Sequence, residues 1–182
     1  MSPWQQRKSI RRKEILAAAL ECFIQYGYAK TVFDDVARKA GVSRSLLYAY
    51  FKDKKHLFLS VVHDVLEEQR LQTEAVLESA VNDREKLLKI LELWGVERYA
   101  QVADSPHGGE LLGEGYRAWE EIGKRYMEYL VRVVSGFVGG AEVAELIVLS
   151  VKGLQADRPS VLCLRRRIRL LAELGWQRRG RP

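Results

Sequence analysis

No stretch of the 182 residues approaches 18 consecutive apolar side chains, so no segment reads as a membrane-crossing helix. The N-terminal MSPWQQRKSIRRK is polar where a secretory signal would be apolar. The expected setting is therefore cytoplasmic, with no membrane partner. Only two cysteines are present, Cys22 and Cys163, far apart and inside helical patterns. Both are expected as buried thiols in a reducing compartment. Histidine is equally scarce at three residues. His56 and His63 share a helix face, but no third ligand follows at zinc spacing, and no metal site is expected. Also missing are a Ser/His/Asp or Cys/His pairing and a glycine-rich phosphate loop. Glu110, Glu120 and Glu121 could be imagined as acid–base groups, yet adjacent residues on a helix point in different directions. No catalytic residue and no cofactor are expected, and a helical enzyme is the weaker reading.

What the chain does have is charge, unevenly placed. The composition is that of an ordinary globular protein, 47% hydrophobic and 30% charged, with a net charge of +6. Residues 1–56 hold twelve basic groups against five acidic ones, residues 57–157 ten against eighteen, and residues 158–182 eight against one. A basic start suits a polyanionic partner, whereas an acidic middle argues against a chain wrapped in nucleic acid along its whole length.

Residues 31–58, TVFDDVARKAGVSRSLLYAYFKDKKHLF, read as two short helices joined by a tight turn. Thr31 can cap the first, with Asp34 in its opening turn. Val36, Ala37 and Ala40 share a face, Gly41 can leave the helix in a left-handed conformation, and Ser43 can cap the next helix. In that second helix Leu47 and Phe51 point to a core, which leaves Arg44, Ser45, Tyr48 and Ala49 facing elsewhere. Arginine can bond bidentately to guanine, small residues permit close approach, and tyrosine reaches phosphates, so this face has the chemistry of major-groove docking.

The stretch resembles the DNA-binding domain of the TetR (tetracycline repressor) family of transcriptional regulators. The resemblance rests on Ala40-Gly41-Val42-Ser43, Leu47-Tyr48, Tyr50-Phe51 and Lys54, with Leu57 closing it. Family members often carry Ser or Thr where this chain has Val32, which would move the cap, and any phosphate contact through that hydroxyl, to Thr31. The resemblance implies an all-α protein with an N-terminal three-helix head bearing a helix-turn-helix, and a larger C-terminal helical domain for ligand binding and dimerisation. It implies base-edge contacts by Arg44, Ser45 and Leu46, and phosphate contacts by Thr31, Tyr48, Tyr50 and Lys54, with Ser43 also among the DNA-binding residues. The implied partners are a double-stranded DNA operator, a small-molecule effector and a second copy of the chain.

The remaining segments are read from periodicity. A first helix is expected from Arg11 to Tyr26, with the polybasic run Arg7, Lys8, Arg11, Arg12 and Lys13 at its entry either solvated or reaching DNA as an arm. A long helix should start at Lys54, capped by Asp53, and reach Ala80. Asp83 should cap a helix from Arg84 to Ala103, another should run from Tyr116 to Val138, and Ser105-Pro106-His107-Gly108-Gly109 is the clearest break. Ala141 to Ala156 is apolar on most of its circumference and needs cover on several sides, and Ser160 should cap the last helix. This pair resembles the family's dimerisation element, with an interface expected at Val143, Leu146, Ile147, Leu164 and Ile168. The arginines 165, 166, 167 and 169 read as a solvated face or as salt-bridge partners. The aromatic side chains of the middle region fit a core as well as a pocket. Because such regulators usually bind effectors there, the resemblance implies an effector site at Trp94, Tyr116, Trp119 and Tyr126. The expected division is a DNA-binding domain at 1–53, an effector and dimerisation domain at 54–176, and a disordered tail at 177–182. A sequence-indifferent nucleic-acid binder is the alternative function.

Overall fold

The first helix starts earlier than hydrophobic periodicity suggests, because its start is made by polar groups. In the computed structural model, which describes residues 2–105, 107 and 120–179, α1 runs Pro3–Lys30. The Ser2 hydroxyl accepts from Gln5 N–H at 3.3 Å, the Gln5 side chain accepts from Ser2 N–H at 2.8 Å, and Pro3 sits at the first helical position, where its missing N–H costs nothing. The basic entry is therefore helical. Gly27, with φ 78°, kinks α1 near the expected end.

The described residues are helical throughout their regular structure, and none of these helices is long and apolar enough to cross a membrane. Two compact units are formed. The head, residues 1–66 and 105–120, contains α1, α2 (Phe33–Ala40), α3 (Arg44–Tyr50) and the first turns of α4 (Lys54–Glu78). Its core is built on Ile15, Leu16, Ala19, Phe23, Val36, Leu47, Phe51, Leu57 and Phe58, all at or near zero exposure. Phe58 meets Phe23 edge-on at a centroid distance of 5.2 Å and Tyr28 at 4.8 Å, the geometry that opposed ring quadrupoles prefer. The division between units falls inside α4, after Leu66, rather than at residue 54, because the early turns of α4 bury Leu57, Phe58, Val61 and Val62.

The second unit, residues 67–104 and 121–182, holds the rest of α4, then α5 (Asp83–Glu92), a π-helical segment (Leu93–Glu97), α6 (Arg98–Ala103), α7 (Glu120–Ser135), α8 (Ala141–Gly153) and α9 (Val161–Gln177). Its core joins Leu87, Ile90, Val96, Leu130, Val134, Ala144, Val148, Leu164 and Ile168. Asn82, not Asp83, caps α5, accepting from Glu85 N–H at 3.0 Å. The single helix expected from Arg84 to Ala103 is interrupted by the π segment, whose Gly95 is buried so tightly that an added Cβ would lie 2.9 Å from Val151 Cγ1 and 3.0 Å from Ile168 Cδ1. Side chains hold the segment's carbonyls: Gln69 donates to Leu93 O at 3.1 Å and Gln155 to Gly95 O at 2.7 Å. Ser160 caps α9 as expected. Arg165 and Arg169 pair with Glu92, and Arg167 is bidentate on Asp157, so three of the four arginines serve as ion-pair partners. The tail is ordered at least to Arg179, which pairs with Asp83 at 2.8 Å. Cys22 is buried as expected, whereas Cys163 is only half-buried.

Candidate nucleic-acid interface

The α2–α3 turn is set by two local choices. Gly41 adopts φ 63° and ψ 35°, a left-handed conformation in which its N–H still reaches the Ala37 and Arg38 carbonyls. Ser43 then caps α3, its hydroxyl accepting from Leu46 N–H at 3.1 Å. With Leu47 fully buried, the opposite side of α3 carries Arg44, Ser45, Leu46, Tyr48 and Ala49, all exposed, with Tyr50 half-buried.

That face is pre-shaped. Arg44 Nη1 lies 3.1 Å from Asp34 Oδ2 in α2, and its guanidinium stands 5.7 Å from the Tyr48 ring centroid. The Tyr48 ring itself packs on Phe33 at 4.7 Å. The ion pair is open to water on both sides, and such pairs are worth about 0–1 kcal/mol. Arg44 can therefore leave Asp34 for a guanine edge at small cost, while Tyr48 stays fixed by Phe33. Asp34 as the partner of Arg44 was not legible from spacing, since the two lie ten residues apart on different helices.

Two expected backbone contacts are placed otherwise. Thr31 does not cap α2: Val32 occupies the cap position, and its N–H is satisfied by Asp35 Oδ2 at 3.3 Å. Thr31 is 1% exposed, with its hydroxyl donating to Gly27 O at 2.7 Å and Cys22 O at 3.2 Å, so it closes the kinked end of α1 and has no route to a phosphate. Lys54 donates to the Tyr28 and Ala29 carbonyls at 2.9 Å each, and its ammonium stands 4.8 Å from the Tyr28 ring centroid. A cation at the negative end of α1 is favoured by the helix dipole, and the Lys54 ammonium stands at that end. Asp53 does cap α4, accepting from His56 N–H at 2.7 Å.

In the second unit, Trp94 and Tyr126 each donate a hydrogen bond to a side chain of α4. Trp94 Nε1 donates to Thr73 Oγ1 at 2.9 Å, and the Tyr126 hydroxyl donates to Glu67 Oε2 at 3.0 Å. Burial and the Glu67 carboxylate together push the Tyr126 phenol up to about 12. Arg70 bridges Glu67 and Glu74. Tyr129, one of the middle-region aromatics outside the expected effector site, has its ring centroid 6.5 Å from that of Trp94, and its buried hydroxyl has no hydrogen-bond partner among the described residues. Tyr116 and Trp119 lie outside the described residues.

The expected dimer residues divide sharply. Ile147, Leu164 and Ile168 are core, at 5%, 0% and 0% exposure, and so cannot form an interface. Val143 is half-buried and packs against the same core. Leu146 is exposed, together with Leu149 on α8 and Leu162, Leu170 and Leu174 on α9. The error is one of rotation: the sequence shows an apolar helix, and only packing shows which of its sides the chain itself covers.

The head geometry has recognisable relatives. Residues 15–61 match the family model described as bacterial regulatory proteins, tetR family. That match lies within the head and does not extend into the second unit. The uncharacterized HTH-type transcriptional regulator YhgD of Bacillus subtilis is 33% identical over 81 residues, which cover 44% of this chain and 42% of that protein. The HTH-type transcriptional regulator BetI of Agrobacterium fabrum is 36% identical over 84 residues, 46% of this chain and 41% of that one. The chain thus spans about two fifths of the length of the curated relatives it matches. The fold likeness extends further: a TetR transcription regulator from Haloarcula marismortui superposes with a TM-score of 0.74 over 92% of this chain and 98% of its own, at 16% identity. At that identity the likeness concerns the fold alone.

Proposed function

We propose that this chain acts as a tetR-family regulator, a homodimeric, sequence-specific repressor that leaves its operator when a small effector binds. The observation that supports the reading is the exposed face of α3, which offers Arg44, Ser45 and Leu46 to base edges and Tyr48, with half-buried Tyr50 beside it, to the DNA backbone. A second copy is supported by the five exposed leucines of α8 and α9, between 53% and 81% accessible, an apolar surface that association would cover. An effector is supported by the Tyr129 hydroxyl, unmatched among the described residues, since leaving a buried polar group without a partner costs about 1–3 kcal/mol that a ligand can recover. To lower operator affinity a hundredfold, the effector must favour the DNA-incompetent form by about 2.8 kcal/mol.

Selection of bound duplexes from a random pool tests the reading directly. A two-fold symmetric consensus, bound by twice the chain mass in sedimentation, is the expected result. Uniform recovery of unrelated duplexes would instead make the chain a sequence-indifferent binder. Transcription in vitro from a promoter overlapping the consensus then reads the sign of regulation, with repression expected.

A further inference from the structure

The helical start of α1 does nothing for the head core, yet it is strongly and uniformly charged. Residues 2–11 are all exposed. Residues 2–13 carry five cations, Arg7, Lys8, Arg11, Arg12 and Lys13, and no acid. At 3.6 residues per turn, Arg7, Lys8, Arg11 and Arg12 fall within an arc of about 140°, and Trp4 falls inside the same arc. It is the arc that, further along α1, holds Ile15, Ala18, Ala19 and Cys22 against the core. The core-facing side of α1 thus continues past the edge of the core as a basic stripe. Arg12 marks that edge, its guanidinium 5.5 Å from the centroid of Phe51, the residue that ends α3. From Arg12 back to Trp4 the stripe overhangs by about 12 Å. Lys8 stands 5.3 Å from the exposed Trp4 ring, and Arg11 pairs with Glu14 at 2.8 Å.

We propose that residues 3–12 form a second duplex-binding element, a rigid basic helix rooted beside the recognition helix that grips the phosphates flanking the half-site. The inference rests on the DNA-binding reading above and adds to it a contact outside the helix-turn-helix. Duplex DNA presents one phosphate charge per 1.7 Å or so of axis, so an overhang of this length meets several. The contact is electrostatic and carries no base preference, which separates it from the role of Arg44. The preformed helix also removes the ordering cost that a disordered arm would bear on binding.

The test compares the full chain with the double variant Arg7→Gln, Lys8→Gln, both positions being exposed and outside the Ser2–Gln5 cap. Binding to the selected consensus and to a random duplex is measured across salt, with hydroxyl-radical footprinting on the consensus. The expected result is a salt slope shallower by about 1.8 for two lost phosphate contacts, so that between 50 and 200 mM salt the parent loses roughly twelvefold more affinity than the variant. The footprint should shorten at its outer edges with base preference unchanged, and Arg7→Lys, Lys8→Arg should restore both. An unchanged slope and footprint would overturn the proposal while leaving the regulator reading intact. A parent without sequence preference but with the slope difference would overturn the regulator reading and keep the basic element. Recruitment to phosphatidylglycerol vesicles through the same two residues, with the duplex slope unchanged, would also overturn it.

Discussion

Replacing Lys54 by Met tests what the charge at the start of α4 is used for. The substitution keeps the aliphatic stem and removes the ammonium. In the structure that ammonium makes two hydrogen bonds, at 2.9 Å each, to the last carbonyls of α1, and lies 4.8 Å from the Tyr28 ring centroid. Hydrogen bonds to charged groups contribute about 1.5–3 kcal/mol and an exposed cation–π contact about 0.5–1 kcal/mol. Lys54 is only half-buried, so solvent screening puts the combined loss near the lower end, about 2 kcal/mol. With a urea slope of about 2 kcal/mol per molar, the far-UV unfolding midpoint should fall by about 1 M. Operator binding, measured where the variant is still folded, should keep its salt slope. The opposite pattern, an unchanged midpoint with a slope reduced by about 0.9, would mean that Lys54 holds a phosphate and that its bonds to α1 are incidental.

Arg44→Ala should cost about 1–3 kcal/mol on the consensus and relax preference at one base position, as read by competition among single-base variants. Leu146→Glu and Leu170→Glu, at surface positions, should halve the sedimenting mass without loss of helix content, whereas Leu164→Glu, in the core, should unfold the unit. Gly95→Ala should destabilise by about 1–3 kcal/mol, because its methyl would press on Val151 and Ile168, although alanine favours an ordinary helix; a raised melting temperature would refute that packing. The Tyr126 hydroxyl bond to Glu67 should stabilise the fold fully at and below pH 10, its ordinary range, and lose that contribution as pH rises through about 12. Tyr126→Phe should remove this part of the alkaline stability loss and the corresponding late rise in absorbance at 295 nm.

The helix-turn-helix was readable from the residues because its determinants are local: Gly41 and Ser43 act within four residues of themselves. Thr31 was misplaced because a threonine between two helices can serve either, and burial against Gly27 and Cys22 decides the matter. The α1 start was missed where hydrophobic period was the guide, yet Ser2-Pro3 followed by Gln5 is a polar start signal that was there to be used. The π segment left no mark, since one extra residue hardly disturbs a periodic pattern that resumes at once with Val96 and Tyr99. The aromatic middle could not reveal its own hydrogen bonds, for Thr73 and Glu67 reach Trp94 and Tyr126 from a different helix.

The way α4 is shared decides how this protein can be taken apart. A fragment ending at residue 53 would keep the whole reading surface of α2 and α3 and still lose Leu57, Phe58, Val61 and Val62 from beneath it. At about 1.5–3 kcal/mol for each buried side chain, that is about 6–12 kcal/mol, comparable to the entire stability of a typical small domain. The smallest portion that keeps this surface folded must therefore carry several turns of α4, a helix outside the α2–α3 motif.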